Sequence, residues 1–149
     1  MGLILHCENS FTINNKKMKT IKNVILSVAC MFLMASCATT VKFPISTVTP
    51  AAVISAKMKK DKNNNYAITI TAKNLASVER LTPPKKTYVV WIVIKENEVK
   101  NVGQFKIKNA VTATLETMTS FKPRVIFITA EDQGDVSYPS GIEITRASF

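Results

Sequence analysis

The chain has 149 residues, a length suited to one domain, and its 20 Lys and Arg against 10 Asp and Glu give a formal net charge of +10. With 46% hydrophobic and 20% charged residues, the composition excludes a wholly disordered chain. It contains 4 Gly, 3 Cys and 1 His, which disfavours a glycine-rich phosphate-binding loop and leaves few residues for metal or thiol chemistry.

The first hydrophobic segment has the pattern of a secretory signal peptide. A short basic stretch, residues 18–23 (MKTIKN), precedes an uncharged apolar run, residues 24–35 (VILSVACMFLMA). Such signals combine a basic region, an apolar region of about 7–15 residues and small residues at the cleavage site. As a helix the apolar run would span about 18 Å, less than the ~30 Å hydrocarbon core of a bilayer. We therefore predict a cleaved signal helix rather than a membrane span.

The end of this run, residues 33–37 (LMASC), resembles a bacterial lipobox. In lipobox signals the cysteine is diacylated on its sulfur, the leader is cleaved before it, and the new amino terminus is usually acylated as well. The resemblance implies cleavage after Ser36 and lipid attachment at Cys37. Met34 is a departure, because Leu is usual at the third position before the cysteine, and Leu33 lies one place earlier. The alternative is an ordinary signal peptide in which Cys37 has no special role.

Residues 1–17 precede the signal and match no part of it. A leader that starts at Met18 has the usual length, so we interpret residues 1–17 as an extension that arises from the choice of start site. The predicted organisation is then a lipoprotein signal peptide at 18–36, a tether at 37–50 and a folded domain at 51–149. The tether is assigned because residues 38–50 (ATTVKFPISTVTP) are rich in Thr, Ser and Pro.

Cleavage before Cys37 would remove His6, Cys7 and Cys30, and with them every His and every other Cys of the chain. The mature chain would have 113 residues (149 less 36) and a charge of about +7, from 16 basic residues (20 less 4) and 9 acidic ones (10 less 1). Nucleophilic sites built on Ser–His–Asp or Cys–His are excluded in such a chain. Zinc and copper sites that need imidazole or thiolate are excluded as well. We predict no cofactor.

From residue 53 onward, short segments alternate between apolar and polar residues, as half-buried β-strands do. Residues 88–94 (YVVWIVI) are apolar on both faces, which is typical of a central strand, and Trp91 is expected to lie in the core between the sheets. No sustained helical periodicity is found outside the leader. About seven short strands separated by turn signals indicate an all-β antiparallel β-sandwich. The predicted strands lie near residues 53–59, 66–72, 88–94, 102–107, 111–115, 125–129 and 142–144.

Five segments of this domain carry a family resemblance: 88–92 (YVVWI), 102–105 (VGQF), 127–131 (FITAE), Gly134 and 139–141 (PSG). Their order and spacing resemble the C-terminal extracytoplasmic domain of anti-sigma-K factors. That domain has an aromatic-x-x-Trp strand, a Gly-aromatic strand and a closing Thr-x-Glu…Gly…Pro stretch. The resemblance covers roughly residues 50–149 and implies an immunoglobulin-like β-sandwich.

Anti-sigma factors of this family carry a cytoplasmic sigma-binding domain and a transmembrane helix ahead of the sandwich. In the present sequence a leader and a lipobox stand in that place. The resemblance therefore implies an envelope domain related to a sensor, and it does not extend to direct inhibition of a sigma factor.

A cluster of lysines on the first predicted hairpin is a possible interaction surface. It comprises Lys57, Lys59, Lys60 and Lys62, which could contact anionic lipid or polysaccharide. The alternative is a solvated face whose lysines discourage strand-to-strand aggregation.

A second charged cluster, Glu131, Asp132 and Asp135, has the oxygen ligands that Ca²⁺ prefers. It lacks the regular spacing of a calcium loop, so we interpret it as a hairpin turn and predict no metal site. A carboxylate-based hydrolase would need two facing acids in a cleft, and the sequence offers no pair beyond this turn.

These features predict a non-enzymatic, lipid-anchored protein of the bacterial cell envelope, at the outer membrane and facing the periplasm. Its expected partners are the membrane, through the lipid anchor, and an envelope protein or polysaccharide. Nucleic acid is not expected, because the lysines lack interleaved aromatic residues. The alternative function is an extracytoplasmic signalling component, related to anti-sigma factors but without the sigma-binding domain.

Overall fold

The computed structural model describes residues 38–109 and 111–149, apart from the side chains of Glu96 and Lys108. The predicted start-site extension, the signal helix and Cys37 lie outside the described residues. The described chain is built of strands, with two short 3₁₀ turns at Val78–Arg80 and Lys95–Asn97. The strands are β1 (Ala38–Lys42), β2 (Val53–Lys60), β3 (Tyr66–Lys73), β4 (Thr87–Val93), β5 (Val99–Gln104), β6 (Lys106–Asn109), β7 (Thr112–Thr119), β8 (Val125–Glu131) and β9 (Ile142–Ser148).

The strands form two antiparallel sheets. Sheet 1 has the order β1-β2-β3-β7-β6, and sheet 2 has the order β5-β4-β8-β9. The series β2-β3-β7-β6 corresponds to the ABED order of immunoglobulin domains, and β4-β8-β9 corresponds to CFG. Strand β5 extends sheet 2 beside β4, and β1 adds an edge to sheet 1. The predicted immunoglobulin-like β-sandwich is confirmed, with nine strands among the described residues rather than about seven.

The additional strand β1 lies in the segment that we predicted to be a tether. Residues 38–42 pair with β2 over their whole length, and the Phe43 N–H donates to the Ile54 carbonyl at 3.0 Å. Val41 and Phe43 pack against the core. Just beyond, the hydroxyl oxygen of Ser46, a buried residue, accepts the N–H groups of Val48 and Thr49 at 3.1 Å each. The apolar side chains within this Thr-rich stretch are therefore sufficient to fold it onto the sandwich.

The segment predicted as a single strand at 102–107 is divided at Phe105. Up to Gln104 the chain pairs with β4 in sheet 2, and from Lys106 it pairs with β7 in sheet 1. The Phe105 side chain packs on the core, whereas Ile107 is 85% exposed, so these two residues do not share a buried face although they are two positions apart. Continuous alternation along 102–107 conceals this change of sheet, because both halves are extended.

The core between the sheets consists mainly of aliphatic side chains. On β2 and β3 the inward residues are buried and their neighbours are not, which is the alternation expected of strands with one solvated face. Strands β4 and β8 are buried on both faces, which confirms the prediction of a central, fully covered strand at 88–94. Apart from three alanines, the side chains of this core that are at most 1% exposed are Ile68, Ile70, Val90, Ile92, Ile126 and Ile128.

Tyr88 is the polar member of this core. Its side chain enters at the start of β4, and its hydroxyl donates to the Ala76 carbonyl at 2.9 Å. Burial raises the pKa of Tyr88 to about 12 from the ordinary value of 10.0. The hydroxyl thus fastens the loop before β4 to the core while it stays protonated.

We expect Tyr88→Phe to lower the free energy of unfolding by about 1 kcal/mol at neutral pH, since it leaves the Ala76 carbonyl without that donor. The folded-state pKa of Tyr88 lies above that of an unfolded tyrosine. Its contribution is therefore complete below pH 10.0 and declines as the pH rises toward about 12. Urea unfolding between these pH values should show this decline in the unsubstituted protein and a shallower one in Tyr88→Phe. Tyr138→Phe is the control, because that side chain is 80% exposed; equal slopes for both variants would contradict the assignment.

Candidate functional site

Trp91 lies on the outer face of sheet 2. Alternation along β4 turns Val90 and Ile92 toward the other sheet, so Trp91 points the opposite way. It is stacked on Phe127, its neighbour in register on β8, with ring centroids 6.2 Å apart and planes at 14°. Our prediction that Trp91 lies between the sheets is wrong. The side chain is nevertheless fully buried, as part of a second apolar cluster that includes Val89.

A chain of hydrogen bonds closes this outer face. The Trp91 Nε1–H donates to Thr129 Oγ1 at 2.8 Å, and the Thr129 hydroxyl donates to Glu131 Oε1 at 2.7 Å. Ser140 donates to the same carboxylate twice, from its N–H to Oε1 at 3.2 Å and from its hydroxyl to Oε2 at 3.0 Å. Glu131 is 1% exposed, and three donors occupy its oxygens. This carboxylate therefore holds the β8–β9 loop against the sheet.

Two further residues shape the same loop. The Asn101 side-chain amide donates to the Gly134 and Val136 carbonyls at 3.0 and 2.9 Å. At Gly141 an added Cβ would lie 1.8 Å from the Ala130 carbonyl oxygen, so no other residue fits there without a shift of backbone. The closing Gly of the PSG segment is thus explained by close approach. Asn101 was not predicted from the sequence. No local pattern in a short polar strand indicates that a side-chain amide bonds to carbonyls more than thirty residues later in the chain.

The acidic turn gives no cation site among the residues that the structure describes. The Glu131 carboxylate is buried beneath the β8–β9 loop, and Asp132 Oδ2 accepts from Lys85 Nζ at 2.8 Å. Within residues 38–109 and 111–149, no group of three or more His, Cys, Asp or Glu side chains is placed to hold a metal ion. The same ranges contain no helix that is long and apolar enough to cross a membrane.

A shallow cleft of about 410 Å³ lies beside the Trp91 cluster, over Phe127 and Thr129. Its charged lining is the pair Glu143 and Arg146, whose side chains hydrogen-bond to each other in a bidentate arrangement. The hydrogen bond from Arg146 lowers the pKa of Glu143, and the same bond raises the pKa of Arg146. The Arg146 guanidinium also lies 5.0 Å from the centre of the Phe127 ring. The two charged side chains of the cleft, Glu143 and Arg146, are thus paired with each other.

None of the described residues covers the outer face of sheet 1. Because strand residues alternate between faces, the register fixes which side chains point outward. They are dominated by Lys and Thr, Glu116 is the acidic residue among those described, and none of those described is aromatic. The set, called the lysine–threonine face below, is Ala38, Thr40, Lys42, Val53, Ser55, Lys57, Lys59, Ala67, Thr69, Thr71, Lys73, Lys106, Thr112, Thr114, Glu116 and Met118.

The structure distributes the four predicted lysines over three locations. Lys57 and Lys59 are exposed on the lysine–threonine face, where they pair with Thr69 and Ala67 of β3. Lys60 points to the other side of the hairpin, with Nζ 6.0 Å from the centre of the Tyr66 ring. Lys62 lies in the turn beyond.

Three further lysines belong to the lysine–threonine face and were missed: Lys42, Lys73 and Lys106. They lie on three different strands, far apart in the sequence, so only the strand order brings them to one surface. With Lys57 and Lys59 they make the face strongly basic.

No protein-family model, curated protein or solved structure matches the chain. Function must therefore be inferred from the residues of the sandwich itself. Three of the five segments that resemble the anti-sigma-K domain, 88–92, 127–131 and 139–141, meet in the network of Trp91, Thr129, Glu131 and Ser140. The network gives these three segments a structural role, and the family resemblance itself stays a prediction.

Thr129→Val should lower the free energy of unfolding by about 2 kcal/mol or more, because it leaves the buried Trp91 N–H and a Glu131 oxygen without their partner. Thr69→Val is the matched control on the solvated face of β3, where the same change should be close to neutral. Chemical denaturation of both variants gives the comparison. Similar losses at the two positions would show that the network does not hold the loop.

Proposed function

We propose that the protein is a non-enzymatic, lipid-anchored protein of the bacterial cell envelope. In this proposal Cys37 carries the lipid, and the β-sandwich binds an acidic envelope polysaccharide through the lysine–threonine face. The membrane is the first partner and the polysaccharide is the second.

The sequence at residues 33–37 supports the anchor. Cys37 is bonded directly to Ala38, the first residue of β1, so an acylated Cys37 would join the lipid to the edge strand itself. Two or more acyl chains are needed for stable attachment, since a single chain gives marginal, reversible binding. The lipobox chemistry supplies them.

The contrast between the two outer faces carries the proposal of a binding function. The outer face of sheet 2 is closed by the β8–β9 loop, whereas the lysine–threonine face has no cover among the described residues. A face of five strands spans about 19 Å across the strands and repeats side chains every ~7 Å along them. The ammonium groups of this array can pair with the carboxylates of an acidic sugar polymer, and the threonine hydroxyls can exchange hydrogen bonds with its hydroxyls.

The composition of this face favours a polysaccharide over a folded protein partner. Protein interfaces are enriched in aromatic residues, Met and Arg, and depleted in Lys. The lysine–threonine face has the opposite composition, apart from Met118 and Val53. Binding through several lysines would be weakened by salt, because the Debye length falls from about 10 Å at 0.1 M to about 3 Å at 1 M.

The anchor is tested by metabolic labelling with palmitate. The unsubstituted protein and Cys30→Ser should both be labelled, because residue 30 lies within the leader. Cys37→Ser should abolish the label and move the protein out of the membrane fraction. Equal labelling of the two cysteine variants would reject lipid attachment at Cys37.

The binding face is tested on immobilised polygalacturonate, an acidic polysaccharide, with neutral dextran as the reference matrix. The combined variant Lys42→Gln, Lys57→Gln, Lys59→Gln and Lys73→Gln should elute at much lower salt than the unsubstituted protein. The matched control removes four positive charges elsewhere, with Lys60, Lys62, Lys122 and Arg124 each changed to Gln. Equal losses of retention in both variants would show that net charge, and not this face, governs binding.

A further inference from the structure

One end of the sandwich gathers the turns that join β2 to β3, β4 to β5, and β7 to β8. The register shows this, because Lys60 pairs with Tyr66, Tyr66 with Thr119, and Val93 with Val125. We call it the hairpin end, and it comprises residues 59–66, 94–100 and 120–125. Ala38 pairs with Lys59, so β1 also begins there. The chain that precedes Ala38, and with it Cys37, therefore joins the sandwich at the hairpin end.

The hairpin end is more basic than the opposite end. Residues 59–66, 94–100 and 120–125 contain seven Lys and Arg against Asp61, Glu96 and Glu98, a net charge of +4. The opposite end, counted in the same way with up to two residues of the adjoining strands (residues 41–53, 73–87, 108–112 and 131–143), contains six basic and five acidic residues, a net charge of +1. The larger excess of positive charge thus lies at the end where the lipid would be attached.

The basic residues of the hairpin end project from ordered turns. In the β2–β3 turn, Asp61 Oδ1 accepts the N–H groups of Asn63 and Asn65 at 2.8 Å each, and Asn64 adopts a left-handed φ of 65°. The acidic group is therefore occupied within its own turn, while Lys62 is exposed. In the β4–β5 turn Glu98 pairs with Lys100, which leaves Lys95 exposed at the surface.

The third turn adds an aromatic side chain and a cleft. Phe121 is 43% exposed, and Lys100 Nζ lies 4.8 Å from the centre of its ring. A cleft of about 420 Å³ opens between this turn and β1, and its lining includes Thr39, Lys122 and Arg124. Exposed aromatic rings beside Lys and Arg suit the headgroup layer of a membrane. An Arg and a Lys at one cleft suit a phosphate group.

We infer that the hairpin end rests on anionic phospholipid headgroups, with a headgroup phosphate in the cleft beside Lys122 and Arg124. The inference rests on the proposed lipid attachment at Cys37, which would bring this end to the bilayer. Each cationic side chain at an anionic surface strengthens association by about fivefold, so four of them bias the orientation of an anchored domain strongly. The strands then stand away from the membrane, and the lysine–threonine face stays open to the envelope.

The orientation is tested with the full-length lipoprotein, purified from bacterial membranes and reconstituted into vesicles. Phosphatidylcholine and phosphatidylglycerol at about 7:3 give the surface its negative potential, and a nitroxide on a fraction of the headgroups serves as a short-range quencher. A fluorophore is attached to a single introduced cysteine, at Asn63→Cys in the hairpin end or at Gln133→Cys in the opposite end. We expect several-fold stronger quenching at position 63 than at position 133.

The charge dependence is tested with two matched variants of the Asn63→Cys protein. One changes Lys122 and Arg124 to Gln, and the other changes Lys86 and Arg80 to Gln, so that each loses one lysine and one arginine. The first variant should lose most of the quenching at position 63, and the second should retain it. Should the first variant not fold, a salt titration of the protein with the unchanged basic residues gives the same information. Its quenching should fall as salt approaches 1 M, since the Debye length is then about 3 Å.

The possible outcomes distinguish failure of the proposed orientation from failure of the proposed lipid attachment. Equal quenching at positions 63 and 133, equal effects of the two charge variants, or quenching that is insensitive to salt would overturn the inference while leaving the anchor intact. Failure of the unsubstituted protein to float with the vesicles would instead reject the anchor at Cys37, and the orientation with it.

Discussion

Burial of branched aliphatic side chains between two sheets is the interaction on which the rest of the structure depends. Residues 38–149 contain no cysteine, so no disulfide can join the sheets. Sheet 1 contributes residues such as Ile68 and Ile70, and sheet 2 contributes Val90, Ile92, Ile126 and Ile128. At about 25 cal/mol for each Å² of apolar surface removed from water, such a core offsets the entropy of ordering a chain of this length. The loops and both outer faces are positioned by that packing.

The two sheets use their outer faces differently. Sheet 2 is covered by its own β8–β9 loop. Because a loop buries little apolar surface, hydrogen bonds are needed to hold it against the sheet. Glu131 accepts them, and the oxygens of this buried carboxylate are occupied by Thr129 and Ser140. Sheet 1 has no such cover within the described chain, and its outward side chains are those that water solvates well. The part of the sandwich that is free to bind is thus the part that is not engaged in closing the fold.

Much of the architecture was predictable from alternation and turn residues. The strands β2, β3, β4, β8 and β9, the central position of β4 and the two-sheet arrangement follow from a period of two and from apolar runs. What alternation could not show is which sheet an extended segment joins. The strand at 38–42 was therefore not predicted, because its core contacts, Val41 and the following Phe43, lie in a stretch rich in threonine. The change of sheet at Phe105 was not predicted either. Alternation also misplaced Trp91, because a strand that is apolar on both faces gives no sign of which face looks inward.

The candidate surface was only partly predictable for a related reason. The lysines of one hairpin are visible in the sequence, but the register sends Lys57 and Lys59 to a sheet face and Lys60 to the other side. Lys42 and Lys73 lie on the same face as Lys57 and Lys59 but on other strands. Only the strand order brings them to that face. Asn101 and Ser140 matter through contacts with residues distant in the sequence, and a single sequence carries no signal for such contacts.

The pairing of β1 also has a mechanical consequence. Because β1 runs antiparallel to β2 from the residue that follows Cys37, a pull on the chain ahead of Ala38 acts on the β1–β2 hydrogen bonds first. If the pull is directed along the strands, it loads the five paired positions of β1 together, in shear, rather than opening them one after another as a zipper. An edge strand in this geometry resists tension along its length better than a sideways pull, which breaks its hydrogen bonds one at a time. If Cys37 is acylated as proposed, the joint between the lipid and the sandwich is strong in the direction in which a membrane anchor pulls.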